Sequence, residues 1–139
     1  MATEDNKAVV RRSFDGNLDT IDEVFAKDFI DHNPLPGQQP GRAGFKEAQA
    51  LMHSAWTDRH ATIEDQIAEG DRVASRVTNT GRHVGEFMGI PATGKEATVT
   101  LVSIDRVVDG KIVETWTSMD MLDLLQQLGA ASPTTTTTT

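Results

Sequence analysis

The chain of 139 residues contains no cysteine, which excludes disulfides, thiolate nucleophiles and cysteine-ligated zinc. Tyrosine is absent too, so no phenolic hydroxyl is on hand for binding or catalysis. Positive charge is scarce: 13 Lys and Arg stand against 21 Asp and Glu, for a net charge of -8 and a sequence pI near 4.8. Such a surface repels phosphate backbones and anionic lipid, so neither nucleic acid nor membrane is an expected partner. No apolar run approaches transmembrane length, and Met1-Ala2-Thr3-Glu4-Asp5 lacks the basic and apolar regions of a signal peptide. The expected location is the cytoplasm. The four histidines and the many carboxylates show no spacing such as His-Glu-x-x-His, so no metal site is expected.

What is present is an ordinary globular composition, 37% hydrophobic and 24% charged, at a length that suits one domain. That domain is expected over residues 1–130. Ser132-Pro133 and the six threonines that follow have no apolar periodicity, so 131–139 is expected to be a disordered tail.

Helical spacing recurs through Ala8, Val9 and Arg12 to Phe14 and again through Leu18, Ile21, Val24 and Phe25, with Gly16-Asn17 between. Phe29-Ile30-Asp31-His32 reads as a short extended piece running into a proline-rich turn at Asn33-Pro34-Leu35-Pro36-Gly37. Gly41 to Thr57 predicts a helix, with Phe45, Ala48, Met52, Ala55 and Trp56 on its apolar face and Gln49 and His53 bordering it. From His60 the period changes to two, and Gly70-Asp71 turns the chain into a return strand, Arg72 to Val84. After a breaker-rich loop, Ala97–Val108 and Lys111–Met119 form a hairpin on Asp109-Gly110. Asp120 caps a last short helix, Met121 to Leu128, which Gly129 stops. Helices followed by an antiparallel meander is an α+β order. We expect a cone-shaped α+β barrel, a strongly curved sheet with the N-terminal helices over its concave face, whose hollow holds side chains or a ligand.

Several motifs share one resemblance: Gly70-Asp71-Arg72-Val73-Ala74, Gly81-Arg82-His83-Val84-Gly85, Gly89-Ile90-Pro91-Ala92-Thr93-Gly94-Lys95, Arg106, Asp109-Gly110-Lys111-Ile112, Trp116 and Leu124-Leu125-Gln126-Gln127-Leu128-Gly129. Asp31-His32-Asn33-Pro34, Pro36-Gly37 and Gly44-Phe45 add to it. From about residue 8 to residue 129 the chain resembles the SnoaL-like polyketide cyclases. The resemblance implies the nuclear-transport-factor-two-like cone fold, a pocket free of metal and cofactor, and a homodimer formed through the outer face of the sheet. It also implies the family's best-known chemistry, ring closure of an aromatic polyketide ester by intramolecular aldol condensation, with an aspartate as acid and base.

Anchored on Asp109-Gly110-Lys111-Ile112, that aspartate falls at Thr117 here and its histidine partner at Ser103. A two-residue turn pairs Ser103 with Trp116, which leaves Ser103 and Thr117 near neighbours across the ladder. A threonine hydroxyl does not shuttle protons near neutral pH, so another group has to supply the acid/base function. Asp105 lies two residues from Ser103, on the same strand face, and is one candidate, against the plainer reading of a solvated acid near a hairpin tip. His32 is the other, as base or donor, against a role in anchoring the loop. Because adjacent strand residues point to opposite faces, His32 does not pair with Asp31. Asn79 and His83 share strand parity with Val77 and are expected, with Ser103, Thr117, Trp56, His53 and Met119, to line the pocket, unless a bulge at Gly81 intervenes. Trp56 and Trp116 offer broad surfaces for stacking on a planar ligand, or for core packing.

Two functions follow as expectations. One is a cofactor-free cyclase- or isomerase-type enzyme acting on a small apolar carbonyl compound, with Asp105 or His32 carrying the proton. The other is a binding protein of the same fold that has kept the pocket and lost the proton-transfer pair. Other enzymes of the same general fold lose ground for want of tyrosine: the ketosteroid-isomerase oxyanion hole relies on one, and dehydratase and epoxide-hydrolase relatives commonly use one.

Overall fold

A computed structural model describes residues 2–130; the tail expected over 131–139 lies outside the described residues. Helix α1 (Ala2–Ser13) carries Glu4 and Asp5 in its first turn and Arg11 and Arg12 in its last, the order that the helix dipole favours. Asn17 caps α2 (Leu18–Val24) by accepting from the Asp19 N–H. The chain passes directly into strand β1 (Phe25–Asp31), then through the proline-rich loop into α3 (Gly41–Ala55). A Cβ on Gly44 would lie 1.8 Å from the Gln39 carbonyl oxygen, so only glycine lets this helix touch the loop backbone to backbone.

Four long strands complete the sheet, β2 (Trp56–Glu69), β3 (Arg72–His83), β4 (Glu96–Val108) and β5 (Lys111–Met119), and α4 (Met121–Gln127) follows them. The expected helix over Gly41–Thr57 ends two residues early. Trp56 is extended (φ -130, ψ 131) and pairs with His83, so a ladder partner overrides the helical period at its end. Asp120 caps α4 as expected, its Oδ1 accepting from the Asp123 N–H at 3.1 Å.

The strand order is β1-β5-β4-β3-β2, with β1 parallel to β5 and every other pair antiparallel. Register shifts interrupt the β1–β5, β2–β3 and β4–β5 ladders, and such bulges tighten the twist that rolls a sheet into a cone. The shift in β4–β5 corrects one expectation. Val107 pairs with Ile112 but Arg106 pairs with Glu114, leaving Val113 as an extra residue. Ser103 therefore stands directly opposite Thr117, and Trp116 faces Ile104. Helices α1, α2 and α3 cover the concave face, and the sheet's inward residues divide into two apolar clusters. One gathers around Val10, Val24, Phe29, Val73 and Ile112. The other gathers around Trp56, Phe87, Val99, Leu124 and Leu128.

Candidate active site

Between the two clusters lies a cavity of about 510 Å³, a volume ordinary for a small-molecule site. Strict alternation along β4 turns Ala97, Val99, Leu101, Ser103 and Asp105 into it. From β5 come Thr115, Thr117 and Met119; from α3, Phe45, Gln49, Met52 and His53; and from β2, Trp56, Arg59 and His60. Most of the wall is apolar. Its buried polar groups gather where β1, β5, β4 and β3 meet, in two rows running across the sheet. Asp31 pairs with Thr115 and Thr115 with Asp105 in the first; Thr117 pairs with Ser103 and Ser103 with Ser75 in the second.

Asp105 is the centre of this patch. It is 5% exposed, and its Oδ2 accepts from the Ser103 hydroxyl at 3.1 Å. Burial pushes its carboxyl from the ordinary 3.8 up to about 6; hydrogen bonds from Thr115 and Ser103 pull the other way, and the negative charge of Asp31 adds to the rise. Asp31 accepts from the Asn33 N–H at 3.0 Å and from the Gln38 amide at 2.9 Å. Asn33 in turn accepts from the Thr117 N–H at 2.8 Å. The proline-rich loop thus hangs on the two polar rows and forms part of the cavity wall, with Asn33, Leu35 and Gln38 lining it.

Of the residues singled out in the sequence, Asp105, Ser103, Thr117, Trp56, His53, Asn79 and Met119 line the cavity; His32 and His83 do not. His32 lies on the outer face of the sheet, its ring stacked on Trp116 (centroids 4.6 Å apart, planes 3° from parallel) and its Nε2 2.8 Å from the Glu114 carboxylate. The period of two that separates His32 from Asp31 sends the aspartate inward and the histidine out. Trp116 is likewise outside, with the Arg72 guanidinium 5.2 Å from its ring centre, and so is removed from any cavity ligand. His83 has the inward parity expected of it and is fully buried, but it packs against Trp56 (centroids 5.0 Å apart) beneath the loop after β3. There its Nδ1 accepts from the Thr93 N–H at 3.2 Å. Sequence reasoning passed over Asp31, Thr115, Asn33, Gln38 and Arg59. Alternation alone places the first two.

Among the described residues no three His, Asp or Glu side chains are grouped as a metal ion requires, and no helix is long and apolar enough to cross a membrane.

Comparison with known proteins gives a consistent picture. Residues 7–128 match the family model of the SnoaL-like polyketide cyclases. The chain is similar to the aklanonic acid methyl ester cyclase DnrD of Streptomyces peucetius, 30% identical over 125 residues, covering 86% of this chain and 84% of that protein. It is similar to the nogalonic acid methyl ester cyclase of Streptomyces nogalater, 29% identical over 120 residues, covering 85% and 90%. Among solved structures, TsrD from Streptomyces laurentii superposes with a TM-score of 0.84 at 30% identity, covering 92% of this chain and 97% of that one.

Proposed function

Since the chain belongs to the SnoaL-like polyketide cyclase family, we propose that it takes a small, largely apolar carbonyl compound of aromatic polyketide type into the cavity. There it performs acid/base chemistry of aldol-cyclisation or isomerisation type, with Asp105 as the proton carrier. The observation that carries this reading is a carboxylate buried on the cavity wall, two residues from the family's histidine position, whose pKa is raised to about 6. At neutral pH such a group is mostly ionised and accepts a proton, yet it is a strong enough acid to return one within the same cycle.

The steps balance without a co-reactant. Asp105 removes a proton from a carbon next to a carbonyl, and the Thr117 hydroxyl, on the same wall and not engaged with Asp105, is the donor proposed for the enolate oxygen. The enolate carbon attacks a second carbonyl carbon of the same molecule, forming the new C–C bond, and the Asp105 carboxylic acid protonates the resulting alkoxide. Incubation with aklanonic acid methyl ester, the compound named for one relative, in deuterated water tests the proposal. Deuterium uptake at the acidic carbon is expected, with or without ring closure. Asp105→Asn is expected to slow it by about a hundred- to ten-thousand-fold; equal uptake by wild type and variant sinks the proposal.

A second reading is favoured by the hydroxyls at the family's two ionisable positions, Ser103 and Thr117: a binding protein that holds the ligand unchanged. Tight binding without conversion over long incubation supports it. The proposal extends to a homodimer through the outer sheet face, where Ile30, Val102 and Ile104 are 52%, 47% and 39% exposed.

A further inference from the structure

Of the eight arginines in the chain, Arg59 alone has, among the described residues, no hydrogen-bond acceptor, no carboxylate at ion-pair distance and no aromatic ring against its guanidinium. Its place is set by the backbone. Between the pairs Thr57–Arg82 and His60–Thr80, β2 has two residues, Asp58 and Arg59, where β3 has only Gly81. Asp58 takes the left-handed conformation (φ 53), and the resulting bulge re-aims the residues beside it. The Arg59 side chain lines the cavity and lies across Gly81, where a Cβ would come within 3.6 Å of its Cγ.

The lining residues there, His53, Arg59, His60 and Thr80, are exposed, which makes this end a mouth; Asp15, Gly16 and Asn17 are exposed lining residues too. Asp15 is occupied within its own turn, accepting from the Asn17 N–H at 2.8 Å and the Thr20 hydroxyl at 2.6 Å. The surrounding protein lowers the pKa of Arg59 by desolvation, and desolvation first, then the Arg59 charge, lowers that of His53. A guanidinium partly stripped of water and without a counter-ion gains when a ligand anion accepts from it, and its planar fork matches a carboxylate with two parallel hydrogen bonds.

The structure assigns to Arg59, with His53 and His60 beside it, the recognition of a carboxylate at the end of the cavity's ligand remote from the reacting carbon, so that an aromatic polyketide with a free acid at that end is preferred to the same compound esterified there. This rests on the pocket reading above and narrows its substrate class. The acid group would sit at the mouth and the reacting carbon at Asp105. Arg59 is level with the Gly81–Ala97 pair, and from Ala97 to Asp105 the strand runs roughly 26 Å at about 3.3 Å per residue. Less the reach of an arginine side chain, that span calls for an elongated, fused-ring ligand.

Isothermal titration at pH 7 with anthraquinone-2-carboxylate and with its methyl ester tests the assignment without any need for turnover. Wild type is expected to bind the acid at least about tenfold more tightly than the ester, the scale of a charge-assisted hydrogen bond. Arg59→Gln is expected to abolish the difference by weakening the acid alone, and Arg59→Lys to keep part of it. Ester and acid bound equally by wild type, or a preference that survives Arg59→Gln, overturns the inference. Binding of neither compound overturns it together with the pocket reading. The proposed chemistry is judged separately, since Asp105→Asn is expected to retain the acid preference in full, and its loss there would refute Arg59 as the source.

Discussion

Burying Asp105 carries a cost in stability. Its folded-state pKa of about 6 stands above the ordinary 3.8, so the charged form is disfavoured by folding. The native state is penalised progressively as pH rises from about 4 through 6, and fully above that. At about 1.4 kcal/mol per pH unit, this comes to roughly 3 kcal/mol. Asp105→Asn is therefore expected to raise the stability measured by urea unfolding at pH 8 by up to about 3 kcal/mol, and to leave it nearly unchanged at pH 3.5. A variant less stable than wild type at pH 8 would contradict the burial argument. In the proposed reaction the same titration gives kcat/KM an acidic limb near pH 6. Ser103→Ala removes a hydrogen bond to the charged form, so its limb is expected at higher pH, and an unmoved limb would detach Ser103 from the proton carrier. At this scale the sequence was partly legible. Alternation was enough to put Asp105 beside Ser103, and the same rule, applied one residue earlier, would have chosen Asp31 over His32. Arg59 could not be placed, because the one signal for the bulge, Gly81, lies on the partner strand and does not say which residues of β2 are displaced.

The elements were more legible than their joints. Helical spacing, the Asp109-Gly110 turn and the Asp120 cap each predict an element that is present, because each signal is local. What escaped were features decided across the chain: Trp56 leaves the helix to pair with His83, and Val113 is squeezed out of the β4–β5 ladder. That one extra residue decides whether Thr117 or Trp116 opposes Ser103. The loop before α3 depends on an equally fine contact. Gly44→Ala would drive a methyl group into the Gln39 backbone, whose oxygen lies 1.8 Å from the position it would occupy. Because the atoms to be displaced are backbone, a loss of about 2–3 kcal/mol is expected in denaturant unfolding, toward the upper end of overpacking costs. A loss below about 0.5 kcal/mol would show that the loop yields freely.

At the scale of the whole molecule, the sheet has an inner face that walls the cavity and an outer face that is incompletely covered. Outside, Ile30, Val102 and Ile104 surround the stacked His32 and Trp116 pair, an apolar area of the kind that partner surfaces cover. Light scattering of the purified protein is expected to give twice the chain mass, and Ile104→Glu, which sets a charge in the middle of that area, to shift it toward the single chain. A monomeric wild type would leave the outer face without its proposed partner. The placement of the two indoles has a separate use. With tyrosine absent from the chain and Trp116 outside the cavity, replacing Trp116 by phenylalanine leaves Trp56 as the sole strong ultraviolet emitter, seated on the cavity wall. Its quenching by an aromatic guest would then report occupancy directly, with no label attached.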